Sequence, residues 1–176
     1  LYRNSGSDSA EPKVDQVTFS GQTMGTVYNI KYLDDQGRSF KQEIDSLLEV
    51  FNQSLNHYLP ESEISRFNRQ DTLYFNLPYF YPVMEVSQSV VNVTSGAFDP
   101  TVAPLVNAWG FGPEGGDLPD SLAVDSLLSK VGFDKLMFNE SYITKTDPDT
   151  QLDFSAIAKG YGVDVVADYL TEQGIQ

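Results

Sequence analysis

Residues 26–32 alternate, with Thr26, Tyr28, Ile30 and Tyr32 facing one way and Val27, Asn29 and Lys31 the other. A period of two predicts a half-buried strand, and residues 17–19 offer it a short partner across a turn at 21–25. The period then lengthens. Over residues 39–55, Phe40, Ile44, Leu47, Leu48, Phe51 and Leu55 fall on one stripe, which predicts a helix, with Ser39 and Gln42 as its capping box. A second helix is expected over 79–93, opened by Pro78 and closed near Gly96, and a third over 121–131, stopping at Gly132. Three short strands follow at 136–138, 142–145 and 151–154, separated by turn chemistry at Asn139-Glu140 and Asp147-Pro148-Asp149. A last helix is expected from Ser155 to Gly174. Short adjacent strands packed with helices, without an internal repeat, predict an α+β fold with antiparallel strands rather than a doubly wound sheet.

Residues 1–16 lie outside this pattern. They are polar and rich in Ser, Asp and Glu, and cannot bury enough apolar surface to offset their ordering entropy. The expected organisation is a disordered polar tether over 1–16 and a folded part over 17–176.

Composition narrows the chemistry. Of the 176 residues, 40% are hydrophobic and 20% charged, a globular balance that leaves room for a substantial core. No apolar run approaches the ~18 residues that span a bilayer. A formal net charge of −14 argues against a nucleic-acid partner, because phosphate backbones are bound by clustered Lys and Arg. A small anion needs only one local positive pocket. Cysteine is absent and His57 is the single histidine, which removes disulfides, thiolate nucleophiles and zinc sites built from several His or Cys ligands. A metal here would be hard and oxygen-ligated, such as Mg²⁺ or Ca²⁺.

The most informative stretch is 152–164, Leu-Asp-Phe-Ser-Ala-Ile-Ala-Lys-Gly-Tyr-Gly-Val-Asp. A strand feeds a helix whose first turn carries Lys159 and whose second carries Gly160 and Gly162. Two glycines inside a helix cost roughly 2 kcal/mol relative to alanine, and a cation near the positive end of the helix dipole is disfavoured. Both choices make sense if an anion docks at the helix start: free N–H groups meet it, Lys159 adds charge, the glycines leave room, and Asp153 reaches the same mouth. The other reading is a tight helix–sheet contact that needs glycine, with Lys159 merely solvated.

A second stretch, 94–112, holds Phe98 and Asp99 in a loop stiffened by Gly96 and Pro100, with Thr101 placed to cap a short helix near Pro104 that Gly110 ends. Phe98 could stack on a flat heteroaromatic ring and Asp99 could bond to it; alternatively Phe98 and Trp109 are core and Asp99 forms a turn. Two weaker signals remain. Met24 lies in the glycine-bracketed 21–26 segment and could line an apolar pocket. Tyr58 precedes a helical turn at 62–68 and could reach a ligand. Beside it, His57 reads as a surface residue, since no partner set for a Ser-His-Asp arrangement is visible.

Taken in order, residues 21–26, Tyr58 with 62–68, 95–112 and 152–164 resemble the ApbE family of FAD:protein FMN transferases, over nearly all of the chain after residue 16. The last two stretches are long and distinctive. The resemblance implies an ApbE-type, T-fold-like α+β architecture. It implies placement on the periplasmic side of a bacterial inner membrane, often through a lipid anchor, and binding of FAD in a cleft. With Mg²⁺, the implied reaction splits the pyrophosphate, joins FMN through its phosphate to a threonine of an acceptor protein and releases AMP. The implied acceptors are subunits of the sodium-pumping NADH:quinone oxidoreductase or of Rnf-type redox complexes. Position by position, Met24, Tyr58, Ala97, Phe98 and Asp99 match residues that hold the flavin part or its neighbours, and Asp153 and Lys159 match further cofactor contacts. Ala156 matches a metal-ligand position, where only its backbone carbonyl can serve. Family members run to about twice a domain of this size. The chain is therefore expected to be the amino-terminal part of such a transferase, with catalytic groups and the remaining metal ligands beyond Gln176. Alone, it would bind FAD weakly and turn over poorly. Two other functions stay open on the residues: an FAD pyrophosphatase giving FMN and AMP, and a non-catalytic flavin-binding module.

Overall fold

The computed structural model describes residues 14–112 and 119–175. It opens with a hairpin of β1 (Asp15–Thr23) and β2 (Thr26–Asp34), antiparallel, with Gly21 opposite Tyr28 and Thr23 opposite Thr26. The strand starts inside the segment expected to be tether. The turn is tighter than the sequence suggested, just Met24-Gly25, both left-handed with φ 48° and 68°, as a two-residue hairpin turn of the right twist requires. Gly21 is not part of it. A Cβ there would lie 2.5–2.6 Å from the Tyr28 hydroxyl and ring, so glycine is the seat on which that ring rests.

Helix α1 (Lys41–Leu55) matches its stripe: Ile44, Leu48, Phe51 and Leu55 are buried. The expected capping box does not form; Phe40 takes the cap position with no side-chain bond. Phe40 is instead drawn into the core, and its N–H donates to the Tyr32 hydroxyl at 3.1 Å. Next come α2 (Glu63–Arg69), capped by Ser62, and β3 (Thr72–Tyr74), a strand too short to show a period. After α3 (Phe80–Val93) lie α4 (Ala103–Ala108) and α5 (Ser121–Leu128), then a 3-10 turn over Phe133–Lys135. Strands β4 (Leu136–Phe138) and β5 (Tyr142–Lys145) fall where the sequence placed them. Together with β3 they make an antiparallel sheet of order β3-β5-β4. The last helix, α6, runs Ala158–Glu172.

Two expectations fail for one reason: side chains satisfy the backbone where secondary structure was expected to. Residues 151–154 do not join a ladder, apart from a single parallel bridge between Gln151 and Val102. Asn68 at the end of α2 acts as a false strand. Its Nδ2 donates to the Leu152 carbonyl at 2.9 Å and its Oδ1 accepts the Leu152 N–H at 2.8 Å, while the Asp153 N–H reaches the Pro100 carbonyl at 2.8 Å. Thr101 does not cap α4, whose cap position is Val102. Fully buried, Thr101 donates from Oγ1 to Asp99 at 2.6 Å and accepts the Gly132 N–H at 2.7 Å.

Two clusters make the core. One gathers Phe51, Leu55, Ile64, Phe67, Leu73, Phe80, Ile143, Leu152, Phe154 and Ala158 under the three-stranded sheet. The other gathers Tyr32, Phe40, Ile44, Leu48, Val166 and Ile175 under the hairpin. Both draw on α1 and α6, and Met24 packs against each. These two helices form a shared spine that brings the end of α1 to the start of α6.

Candidate functional site

Where α1 ends and α6 begins, the surface holds two adjoining hollows. The larger, about 300 Å³, is bordered by His57, Tyr58, Asn68, Arg69, Gln151 and Asp153. The smaller, about 50 Å³, is bordered by Met24, Asn52, Asn56, Tyr58, Ser155 and Lys159. His57 and Tyr58 line both. Met24, Tyr58, Asp153 and Lys159, spread over most of the sequence, are therefore neighbours in one cleft.

Each is held for a local reason. Met24 stands at the hairpin tip in a left-handed conformation that L-residues enter at a cost of about 1–2 kcal/mol, and its methyl group reaches α6. An added Cβ on Gly162 would meet the Met24 Cε at 2.9 Å and Phe51 ring carbons at 3.6 and 3.7 Å. Tyr58 is 59% exposed, with its hydroxyl donating to the Phe111 carbonyl at 3.0 Å and its N–H to Asn56 Oδ1 at 3.0 Å. Asp153 is aimed by its own chain: Oδ1 accepts the Ser155 N–H at 2.6 Å, closing an Asx turn that delays the helix. The N–H groups of Ile157 and Ala158 both return to the Phe154 carbonyl, at 2.9 and 2.7 Å. Hence α6 starts at Ala158 rather than Ser155.

That start separates the two glycines. Gly162 is a contact glycine, though against the hairpin tip and α1 rather than a sheet, whereas Gly160 faces open space with nothing within 4 Å of its missing Cβ. Lys159 is exposed and, among the described residues, forms no ion pair. Among those same residues, no backbone N–H is bonded to the Ala156 carbonyl. No group of three His, Cys, Asp or Glu side chains among them is placed to hold a metal ion.

Ala97, Phe98 and Asp99 border neither hollow. Both Asp99 oxygens serve its own surroundings: Oδ1 accepts from the Thr101 N–H at 2.8 Å and from the Thr101 hydroxyl, and Oδ2 accepts the Phe133 N–H at 3.1 Å. The 97–100 segment meets the cleft through its backbone, where the Pro100 carbonyl accepts the Asp153 N–H.

Two residues of the cleft were not legible as such. His57 is no surface histidine: its side chain is 13% exposed, its ring lies 4.3 Å from that of Tyr58, and Nδ1 stands 3.8 Å from Asp153 Oδ1. Asn68 holds the extended segment that carries Asp153. Its own carbonyl receives Lys145 Nζ at 3.4 Å, which also donates to the Thr150 carbonyl at 2.8 Å, and burial pulls the Lys145 ammonium below its ordinary pKa. Burial likewise raises the phenols of Tyr79 and Tyr161, whose rings pack on Phe51 behind the cleft. Both are partly buried and pack against the core.

The sequence profile of the ApbE family matches residues 24–176. The chain belongs to the ApbE family. It is 41% identical to the FAD:protein FMN transferase of Vibrio cholerae serotype O1, over 94% of this chain and 52% of that protein. Among solved structures, the flavin transferase ApbE of Vibrio cholerae superposes with a TM-score of 0.85 at 40% identity, over 93% of this chain and 55% of the other. The apo flavinyl transferase ApbE of Pseudomonas stutzeri gives 0.82 at 31% identity, over 94% and 57%. The ApbE architecture expected from the sequence is thus the one observed. The chain spans about half the length of the curated relatives it matches.

Proposed function

We propose that this chain forms the cofactor-receiving part of an FAD:protein FMN transferase. One observation carries the reading: the start of α6 is open, with Lys159, free of any ion pair among the described residues, beside a glycine that faces empty space. Helix N-termini attract phosphate groups, and Lys159 adds a full charge. Tyr58 offers an exposed aromatic face to a planar ring, Met24 supplies an adaptable apolar wall, and Asp153 can accept bonds from ring or ribose donors. The 97–99 segment, carried over as flavin-holding, would contribute through the Pro100–Asp153 backbone link.

In the proposed reaction a threonine hydroxyl of the acceptor attacks the FMN-side phosphorus of FAD. The new P–O bond forms as the pyrophosphate P–O bond breaks, and AMP departs. This chain would bind and orient the diphosphate, and no described residue is assigned the hydroxyl proton. Mg²⁺ would add electrostatic stabilisation of the phosphoryl oxygens. The Ala156 carbonyl fits one hard-ligand position, with the rest from outside the described residues. Acceptors of the sodium-pumping NADH:quinone oxidoreductase or Rnf type, a periplasmic location and a lipid anchor belong to the same proposal and rest on family resemblance alone.

Incubation with FAD, Mg²⁺ and an acceptor subunit tests it. Covalently flavinylated acceptor plus AMP supports transfer. Free FMN plus AMP would make the protein a pyrophosphatase, and tight FAD binding with neither product would make it a carrier.

A further inference from the structure

His57 is a residue of the cleft that neither the resemblance nor the proposed chemistry uses, and its placement is unusual. Among the described residues, it is the only one besides Tyr58 that borders both hollows. At a centroid distance of 4.3 Å and an interplanar angle of 36°, its ring packs tilted against that of Tyr58. The imidazole is mostly enclosed whereas Tyr58 is largely open. The backbone beneath the pair is fixed: the His57 carbonyl accepts from Ser65 Oγ at 3.1 Å, and Tyr58 is tied at its N–H and its hydroxyl.

An exposed tyrosine ordinarily rotates, and stacking a ligand on it costs the entropy of stopping that rotation. Backed by a second ring and tethered at its hydroxyl, Tyr58 has one free face already in place. We propose that His57 is a positioning residue that holds Tyr58 as a rigid platform for a planar aromatic ring, giving the cleft its preference for a flavin over a bare diphosphate. The inference rests on the flavin reading above. The imidazole acts through its flat apolar face; its Nδ1, at 3.8 Å from Asp153, is beyond direct hydrogen-bond reach.

The test compares the unsubstituted chain with His57→Ala, His57→Phe and His57→Gln, titrated with riboflavin, FAD and inorganic pyrophosphate. An aromatic pair contributes enough to change affinity by about three- to tenfold. His57→Ala should lose that factor for riboflavin and FAD and nothing for pyrophosphate. His57→Phe should recover it, because a ring is restored, and His57→Gln should not. Unchanged riboflavin binding in His57→Ala, an equal loss for pyrophosphate, or recovery by glutamine would each overturn the platform. If the unsubstituted chain binds pyrophosphate but neither flavin, the flavin reading fails and the platform falls with it. If it binds both flavins and His57→Ala does so equally well, the platform alone fails.

Discussion

Replacing Asn68 should be the most damaging single change at the cleft that removes no ligand-facing charge. Its amide satisfies the Leu152 N–H at 2.8 Å and the Leu152 carbonyl at 2.9 Å, and Leu152 is fully buried. Orphaning a buried backbone group costs about 1–3 kcal/mol. Two groups would lose ~2–6 kcal/mol, but Asn68 borders the larger hollow, so water can enter and recover part. Asn68→Ala should therefore lose about 2–4 kcal/mol, a fall of roughly 5–15 °C in Tm for a domain of this size. Urea denaturation would measure it, with an unchanged m-value expected, and amide exchange should quicken at Leu152 before elsewhere. Asn68→Asp makes a sharper test. Its carboxylate still accepts the N–H but sets oxygen against the Leu152 carbonyl. Protonation supplies the missing donor, so the folded state raises the pKa of the new group. Its deficit should be largest at neutral pH and shrink as pH falls toward the ordinary carboxylate range near ~4. An Asn68→Ala loss below about 1 kcal/mol, or an Asn68→Asp variant as stable as the parent at neutral pH, would refute the false-strand reasoning.

The other predictions follow from the same geometry. Lys159→Ala should weaken FAD far more than riboflavin in a binding titration; equal losses would mean that Lys159 does not face the phosphates. Gly160→Ala should stabilise the chain by up to about 1 kcal/mol through helix propensity while weakening FAD. In Gly162→Ala that gain should be cancelled by the push on Met24, and thermal melts of the pair would show the difference. Hydrogen bonding from Arg38 holds the Asp34 carboxyl down at about 2. Its stabilising contribution is complete above the ordinary aspartate value near ~4 and disappears as pH falls through about 2. The stability gap between parent and Arg38→Leu should close over that window in acid titration.

How much of this could be read from the sequence depended on what satisfied the backbone. Where an apolar stripe was long or a ladder regular, as in α1, α3, β4 and β5, periodicity placed the element within a residue or two. It failed where a polar side chain replaced a backbone partner. Asn68 stood in for a strand at Leu152, Asp153 delayed α6, and Thr101 tied a loop instead of capping a helix. Such long-range bonds leave no periodic trace. Strand β3 was missed because Thr72–Tyr74 is shorter than any detectable alternation. The cleft was legible at Met24, Tyr58, Asp153 and Lys159 because resemblance marked those positions, and at the α6 start because its composition defied helix preference. His57 carried no comparable signal: one histidine beside a loop tyrosine looks solvated until the fold closes around it.

Met24 belongs to two neighbourhoods at once. It sits at the tip of a two-stranded ribbon that rests on its own small core, yet its methyl group finishes the wall of the cleft. Detachment of that ribbon would strip the wall away while the sheet-side core stayed intact. Occupancy of the cleft should therefore be felt at a distance, as slower solvent exchange along strands that never touch the bound molecule.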